Sequence, residues 1–254
     1  MHIVKLHIIG KKVGSEEFFY LMDFYLQSLW GTKQIINEEW HYEILENGIS
    51  LNLFCPENDS FDIKNTTPNG IKLKKSIEEE FDCQFKFIYQ SIDPELQQTS
   101  ICENPNFLIL KTDSISPLLD GETFHPLPLY KIPYTSQSGE SYDDINYWER
   151  NYERIEGLWH SGEVNERWFQ NQLQNYNSDL NKQGIECCQK IEEVTKIPTY
   201  YFLFNYREWG RKKDQNRKCP NCGGSWLIKG KTFNDIYVFK CDKCRLISEL
   251  SSAV

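Results

Sequence analysis

Cys219-Pro220-Asn221-Cys222-Gly223-Gly224 is answered near the end of the chain by Cys241-Asp242-Lys243-Cys244. Eighteen residues separate the two Cys-x-x-Cys pairs, a spacing that fits a four-cysteine metal site with a short hairpin between its halves. Two intervening residues let both thiolates of a pair reach one ion from a single tight turn, and two such turns complete a tetrahedron. Gly223 supplies backbone freedom where the first turn leaves the metal. The spacing therefore predicts a zinc ribbon with Cys219, Cys222, Cys241 and Cys244 as ligands of one Zn2+. Four thiolates leave no coordination position for an activated water, so the expected role of the ion is structural.

Outward from this site the charge changes sign. Residues 207–254 hold eleven Lys or Arg against five Asp or Glu, a net +6, whereas the whole chain of 254 residues carries −9, leaving −15 on residues 1–206. A zinc ion with four thiolates adds −2 and brings the C-terminal module to about +4. A basic head thus follows an acidic body. Within the head, Arg211, Lys212, Lys213, Lys229, Lys231, Lys240, Lys243 and Arg245 are candidate phosphate contacts. Trp226 and Tyr237, with Phe233 and Phe239, are candidate stacking faces wherever one of them is exposed. The basic run 207–218 reads equally as a solvated hinge.

The rest of the chain reads as α+β: a mainly antiparallel sheet with covering helices and a helical insertion, followed by the ribbon. The expected organisation is a sheet domain over 1–140, a helical region over 141–206 that ends in a strand, and the basic linker with the ribbon over 207–254. Residues 1–9 alternate as a strand up to Gly10. Ser15 is an N-cap with Glu16 and Glu17 in the first turn, and Phe18, Leu21, Met22, Tyr25, Leu26 and Leu29 recur at helical spacing until Gly31. Trp40, Tyr42 and Ile44 share a face before an Asn47-Gly48 turn, and Ile49, Leu51 and Leu53 return as the second strand of a hairpin. Residues 57–70 have loop composition, 71–82 read as a short helix, and 84–92 and 107–111 as further strands.

Prolines punctuate 113–140, and the stretch His125 to Pro133 is expected to run extended as a pinned crossover, with a partner-binding peptide as the alternative. A helical stripe follows through Tyr142, Ile145, Trp148, Tyr152, Ile155 and Trp159. A second helix carries Val164 to Leu180 and a third runs from Ile185 to Val194. Aromatic residues at such spacings belong to a core more often than to a base-stacking surface. The run Thr199 to Tyr206 reads as a buried strand returning to the N-terminal sheet.

Together with the ribbon, Trp148-x-x-x-Tyr152, Leu158-Trp159, Ser161-Gly162-Glu163, Gln172-Leu173, Gly184, Cys188, Ile191-Glu192 and the Pro198-Thr-Tyr-Tyr run resemble a family of bacterial zinc-ribbon proteins described as candidate nucleic-acid binders. The resemblance extends over most of the chain and is most specific from about 140 to 245. It implies the same four cysteine ligands.

Other chemistry is not announced. Gly230-Lys231-Thr232 lacks the upstream glycine of a phosphate loop, since Ser225 stands there. The five histidines are scattered, and His160 beside Glu163 is the one pair to inspect for acid/base work. The expectation is a non-enzymatic protein of the cytoplasm, with no membrane association and with Cys55, Cys83, Cys102, Cys187 and Cys188 as reduced thiols. Two functions fit: binding nucleic acid through the basic ribbon, or docking a protein partner through the ribbon or the acidic body.

Overall fold

The computed structural model describes residues 1–93, 99–100, 102, 104–162, 164–206, 209–228 and 237–251. In the first of two compact units, Met1–Thr99 with Ser114–Ser116 and His125–Asp143, the alternating start forms β1 (His2–Gly10). The helix α1 (Glu16–Gly31) follows, and the Ser15 hydroxyl accepts from the Phe18 N–H as the acidic first turn leads one to expect. Next come β2 (Glu43–Leu45), β3 (Gly48–Cys55), α2 (Pro68–Glu80) and β4 (Cys83–Ile92). The four strands are antiparallel in the order β2-β3-β1-β4. This order and the β-α-β-β-α-β sequence make a split βαβ, ferredoxin-like arrangement. Leu6, Ile8, Leu51 and Leu53 from the sheet meet Phe18, Met22, Leu26, Leu29 and Ile77 from the helices in one core.

Two local expectations shift, and one is met. α2 starts earlier than its apolar pattern, because Thr67 caps it through the Gly70 N–H and Pro68 occupies its first turn. The hairpin turns one residue earlier, at Glu46-Asn47, with Gly48 already in β3 opposite Leu45, and β2 is three residues long with Ile44 83 % exposed. The proline-rich stretch is pinned: Leu127, Leu129 and Ile132 are buried, and Glu57 accepts hydrogen bonds from Tyr130 Oη at 3.0 Å and Thr99 Oγ1 at 2.9 Å and pairs with Lys131.

The second unit comprises Ser100–Asp113, Pro117–Phe124 and Asp144–Val254. Its strands are β5 (Leu108–Leu110), β6 (Leu118–Asp120), β7 (Thr199–Phe202), β8 (Tyr237–Cys241) and β9 (Leu246–Glu249). The helices α3 (Asp143–Ser161), α4 (Glu166–Gln174) and α5 (Asp179–Thr195) connect β6 to β7, and α6 (Arg211–Gln215) follows β7. The sheet order is β6-β5-β7-β9-β8, with β7 parallel to both β5 and β9 and the outer pairs antiparallel.

The aromatic strand 199–202 therefore lies at the centre of a second sheet and does not return to the N-terminal one. Its burial on both faces explains the continuous apolar run. Trp148 and Tyr152 are core residues, with Trp148 set edge-on to Tyr201 at 5.8 Å between ring centroids. α5 begins at Asp179, capped by Ser178 through the Asn181 N–H, so Leu180 belongs to it and not to the preceding helix. Among the described residues, no helix is long and apolar enough to cross a membrane.

Candidate metal centre

Each Cys-x-x-Cys pair folds as a tight turn. In the first, the Gly223 N–H donates to the Cys219 carbonyl at 2.9 Å, the Cys219 N–H donates to the Gly224 carbonyl at 2.9 Å, and Gly223 takes φ +68°. In the second, the Cys244 N–H donates to the Cys241 carbonyl at 3.2 Å and Arg245 takes φ +52°. The left-handed position costs a non-glycine residue about 1–2 kcal/mol. Arg245 offsets this through its side chain, whose Nε and Nη2 donate to the Glu192 carboxylate at 2.9 Å each while Nη1 donates to the Asp242 carbonyl.

The turns converge. The sulfurs of Cys219, Cys222, Cys241 and Cys244 all lie within 4.8 Å of one another, and Cys222 Sγ is 3.7 Å from Cys241 Sγ. A tetrahedral ion with metal–sulfur bonds of about 2.3 Å separates its sulfurs by about 3.8 Å, so the donor set fits one metal ion. The Gly224 N–H lowers the Cys222 thiol pKa, and burial raises those of Cys241 and Cys244. Burial also pushes up the thiols of Cys55 and Cys187, to about 12, and of Cys83, to about 11, which keeps these three protonated.

The two cysteine turns are part of the second unit's sheet. β9 sits between β7 and β8, and the first turn runs into residues 226–228, which pair with β8 through Lys240 N–H to Trp226 O at 2.7 Å and Ile228 N–H to Val238 O at 2.8 Å. Tyr200 Oη in β7 donates to the Asp242 carboxylate at 2.5 Å, which lowers the Asp242 pKa. A buried polar cluster fixes the other end. Arg217 Nε lies 3.1 Å from Asp214 Oδ1, the guanidinium stacks on Trp226 and Phe239, and its Nη2 donates to Ser248 Oγ and the Glu249 carbonyl. Asp214 also accepts from Asn205 Nδ2 and the Ser251 N–H. The run 207–218 is thus more than a solvated hinge in its described part. An Asp and an Arg three apart in a basic segment were the signal for this anchor.

The candidate nucleic-acid contacts separate into three groups. Lys229 and Lys231, with Phe233, lie outside the described residues, as does Glu163 of the pair with His160. Trp226 and Tyr237 are buried at 2 % and 6 % exposure, as is Phe239, so they are packing residues and offer no stacking face. Trp226 Nε1 donates to the Arg217 carbonyl at 3.0 Å, and Tyr237 Oη accepts from Lys111 Nζ at 3.2 Å. Lys240 and Arg245 are engaged: Lys240 Nζ lies over the Phe107 and Tyr200 rings and 3.4 Å from Asp242, and Arg245 pairs with Glu192. Arg211, Lys212, Lys213 and Lys243 are exposed, and so is Lys218. Of these, Lys213 lies over the Trp209 ring at 4.6 Å, and none forms an ion pair among the described residues.

Comparison with known proteins adds lineage. Residues 102–204 match the family described as domain of unknown function DUF2310, and residues 210–254 the one described as domain of unknown function DUF8594. In the structure the two matched stretches share one sheet, since β5, β6 and β7 come from the first and β8 and β9 from the second. No solved structure matches. An uncharacterised protein of Haemophilus influenzae is 33 % identical over 232 residues, covering 86 % of this chain and 85 % of the relative. A second uncharacterised protein of the same organism is 35 % identical over 172 residues, covering 64 % of this chain and 81 % of its own length. Extended over most of both chains, that likeness places this protein in the same bacterial family as these Haemophilus influenzae proteins.

Proposed function

We propose that the four thiolates hold one structural zinc ion and that the module built around it binds nucleic acid through phosphate contacts. The observation that carries this reading is the set of exposed cations, Arg211, Lys212, Lys213, Lys218 and Lys243, on a module whose aromatic side chains Trp226, Tyr237 and Phe239 are buried. Exposed ammonium and guanidinium groups neutralise phosphates without reading bases, so the binding is sequence-tolerant and salt-sensitive. Zinc suits an all-thiolate tetrahedral donor set, which leaves no position for a reacting water; in this reading the protein is not an enzyme.

A second reading rests on the −15 carried by residues 1–206, which favours docking of a basic protein on the acidic body. One purification separates the two. The tagged protein is isolated with and without nuclease, the 260/280 nm ratio and co-eluting proteins are recorded, and a K212E/K213E/K218E/K243E variant with full zinc content is compared. Nucleic acid that disappears in the variant supports the proposal. A stoichiometric protein that survives nuclease treatment, with no nucleic acid retained, overturns it.

A further inference from the structure

The edge of the first unit's sheet carries an inference independent of the metal module. β4 is a ten-residue edge strand that, among the described residues, pairs with β1 alone. Long uncovered edges are usually shortened, charged or capped, because their free backbone groups recruit another strand. The opposite edge, β2, follows that rule with three residues. Among the described residues β4 is capped at its start, where Glu78 accepts from the Phe85 N–H at 3.1 Å.

That one bond fixes the phase of the strand. Phe85 points its N–H away from β1, so by alternation Phe87 and Tyr89 do so as well, up to the register shift opposite Ile3 and Val4. The Gly10 N–H donates to the Asn47 carbonyl, on the β3 side, which independently puts the even residues of β1 toward β3 and agrees with this phase. The exposed side chains along the edge mix apolar and polar groups: Ile88 at 40 %, Tyr89 at 49 % and Ile92 at 59 % stand among exposed Gln84, Lys86, Gln90 and Ser91. Between β4 and α2 lies a cleft of about 200 Å³ lined by Tyr25, Phe61, Ile63, Ile71, Lys74 and Phe87, with Phe61 and Phe87 stacked at 4.3 Å.

We infer that β4 pairs antiparallel with β4 of a second copy of this chain about a two-fold axis at Ile88, joining two sheets into one. The strand is self-complementary in this register. Phe87 and Tyr89 of the partner subunit exchange both backbone hydrogen bonds, and the same pair recurs across the axis. Ile88 faces its own copy on the open face of the sheet, and Lys86, the one cation of the strand, faces the neutral Gln90. Tyr89 stays on its own sheet, with its ring 5.6 Å from that of His2 and its hydroxyl 3.4 Å from His2 Nδ1, so its side chain does not block the pairing. The register one residue pair away would set Lys86 against its own copy, and like charges directly opposite are disfavoured.

The test uses the full chain, zinc-loaded, in sedimentation velocity from micromolar to submillimolar concentration. The wild type is expected to dimerise. I88K and I88E, each at an exposed position, are expected to weaken dimerisation at least about tenfold, because the two introduced charges face each other across a pair whose Cα atoms lie about 4.5 Å apart. Mixing I88K with I88E restores the dimer, since opposite charges then meet at the axis. I44K on the short edge β2 leaves dimerisation unchanged and serves as control. A wild type that stays monomeric, a dimer indifferent to I88K, or a mixture that fails to re-associate would each overturn the inference.

Discussion

Gly184 in α5 lies where the helix meets the central strand of the second sheet. A Cβ placed there comes 2.1 Å from Tyr201 Cε2, 2.9 Å from Tyr201 Cδ2 and 2.6 Å from Trp148 Nε1. Relaxed carbon contacts need about 3.5–4.0 Å, so the tyrosine ring must move by more than an ångström in a G184A variant. The ring has little room to do so. Its hydroxyl donates to Asn181 Oδ1 at 2.6 Å, Asn181 in turn donates to the Leu173 and Asn175 carbonyls, and Trp148 closes the other side. Overpacking of this kind costs about 1–3 kcal/mol, and loss of the Tyr201 hydrogen bond adds about 1 kcal/mol. Alanine's better helix propensity returns about 1 kcal/mol, leaving a net loss of about 1–3 kcal/mol. Gly157 in α3 is the built-in control, because nothing lies within 4 Å of its Cβ position. G157A should therefore stabilise by up to about 1 kcal/mol. Thermal and urea unfolding of the metal-loaded protein, followed by tryptophan fluorescence and near-ultraviolet circular dichroism, reads both. A G184A protein as stable as the wild type would refute the packing of α5 on β7 described here.

R217M should cost about 3–5 kcal/mol in urea unfolding, because Asp214 is left buried without its cation; adding D214N should recover part of the loss. Removing the metal with a chelator, or a C241S substitution, should strip hydrogen-exchange protection from β9 and β7 while leaving β1 to β4 unchanged, since β9 lies between β7 and β8. Burial raises the carboxyl pKa of Glu249, against Lys111 and Arg217, and that of Glu156, against His160 and Lys111. The folded chain thus holds these protons more tightly than the unfolded one. The sign follows: stability is lost as pH rises from the unfolded carboxylate range, about 4.3, through the folded values. E249Q or E156Q should flatten that decline, read as the urea midpoint across a pH series.

Much of this architecture is written in local patterns. The Ser15 cap, the spacing through Leu29 and the Trp148–Tyr152 stripe each specify an element by period and punctuation alone, and the Asn-Gly pair marks the hairpin to within one residue of its Glu46-Asn47 turn. The four-cysteine site is legible for the same reason, because four cysteines at fixed spacing encode a geometry inside about 25 residues. What stayed hidden was long-range. A fully apolar strand such as 199–202 fits the centre of any buried sheet, and nothing in its composition chooses between β1 and β5 as neighbour. The Thr67-Pro68-Asn69-Gly70 start of α2 reads as loop because caps and loops share residue types. Trp226, Phe239 and Tyr237 read as stacking faces in a basic segment, but the fold buries them, with Arg217 over the first two rings and Lys111 over the third. Cations in a sequence carry no mark of which are already paired. Glu192 for Arg245 stands 53 positions away, and only the fold brings the two together.

The central claim, that the exposed cations around the metal centre bind phosphates, is tested most directly by the salt dependence of affinity. A fluorescent single-stranded oligonucleotide is titrated with wild type and with the K212E/K213E/K218E/K243E variant, both shown to carry one zinc per chain. The account predicts a linear fall of log Kobs with log salt for the wild type, and a slope shallower by about 0.7 for each phosphate contact the variant loses. Equal affinity and equal slope in the two zinc-loaded proteins would contradict it.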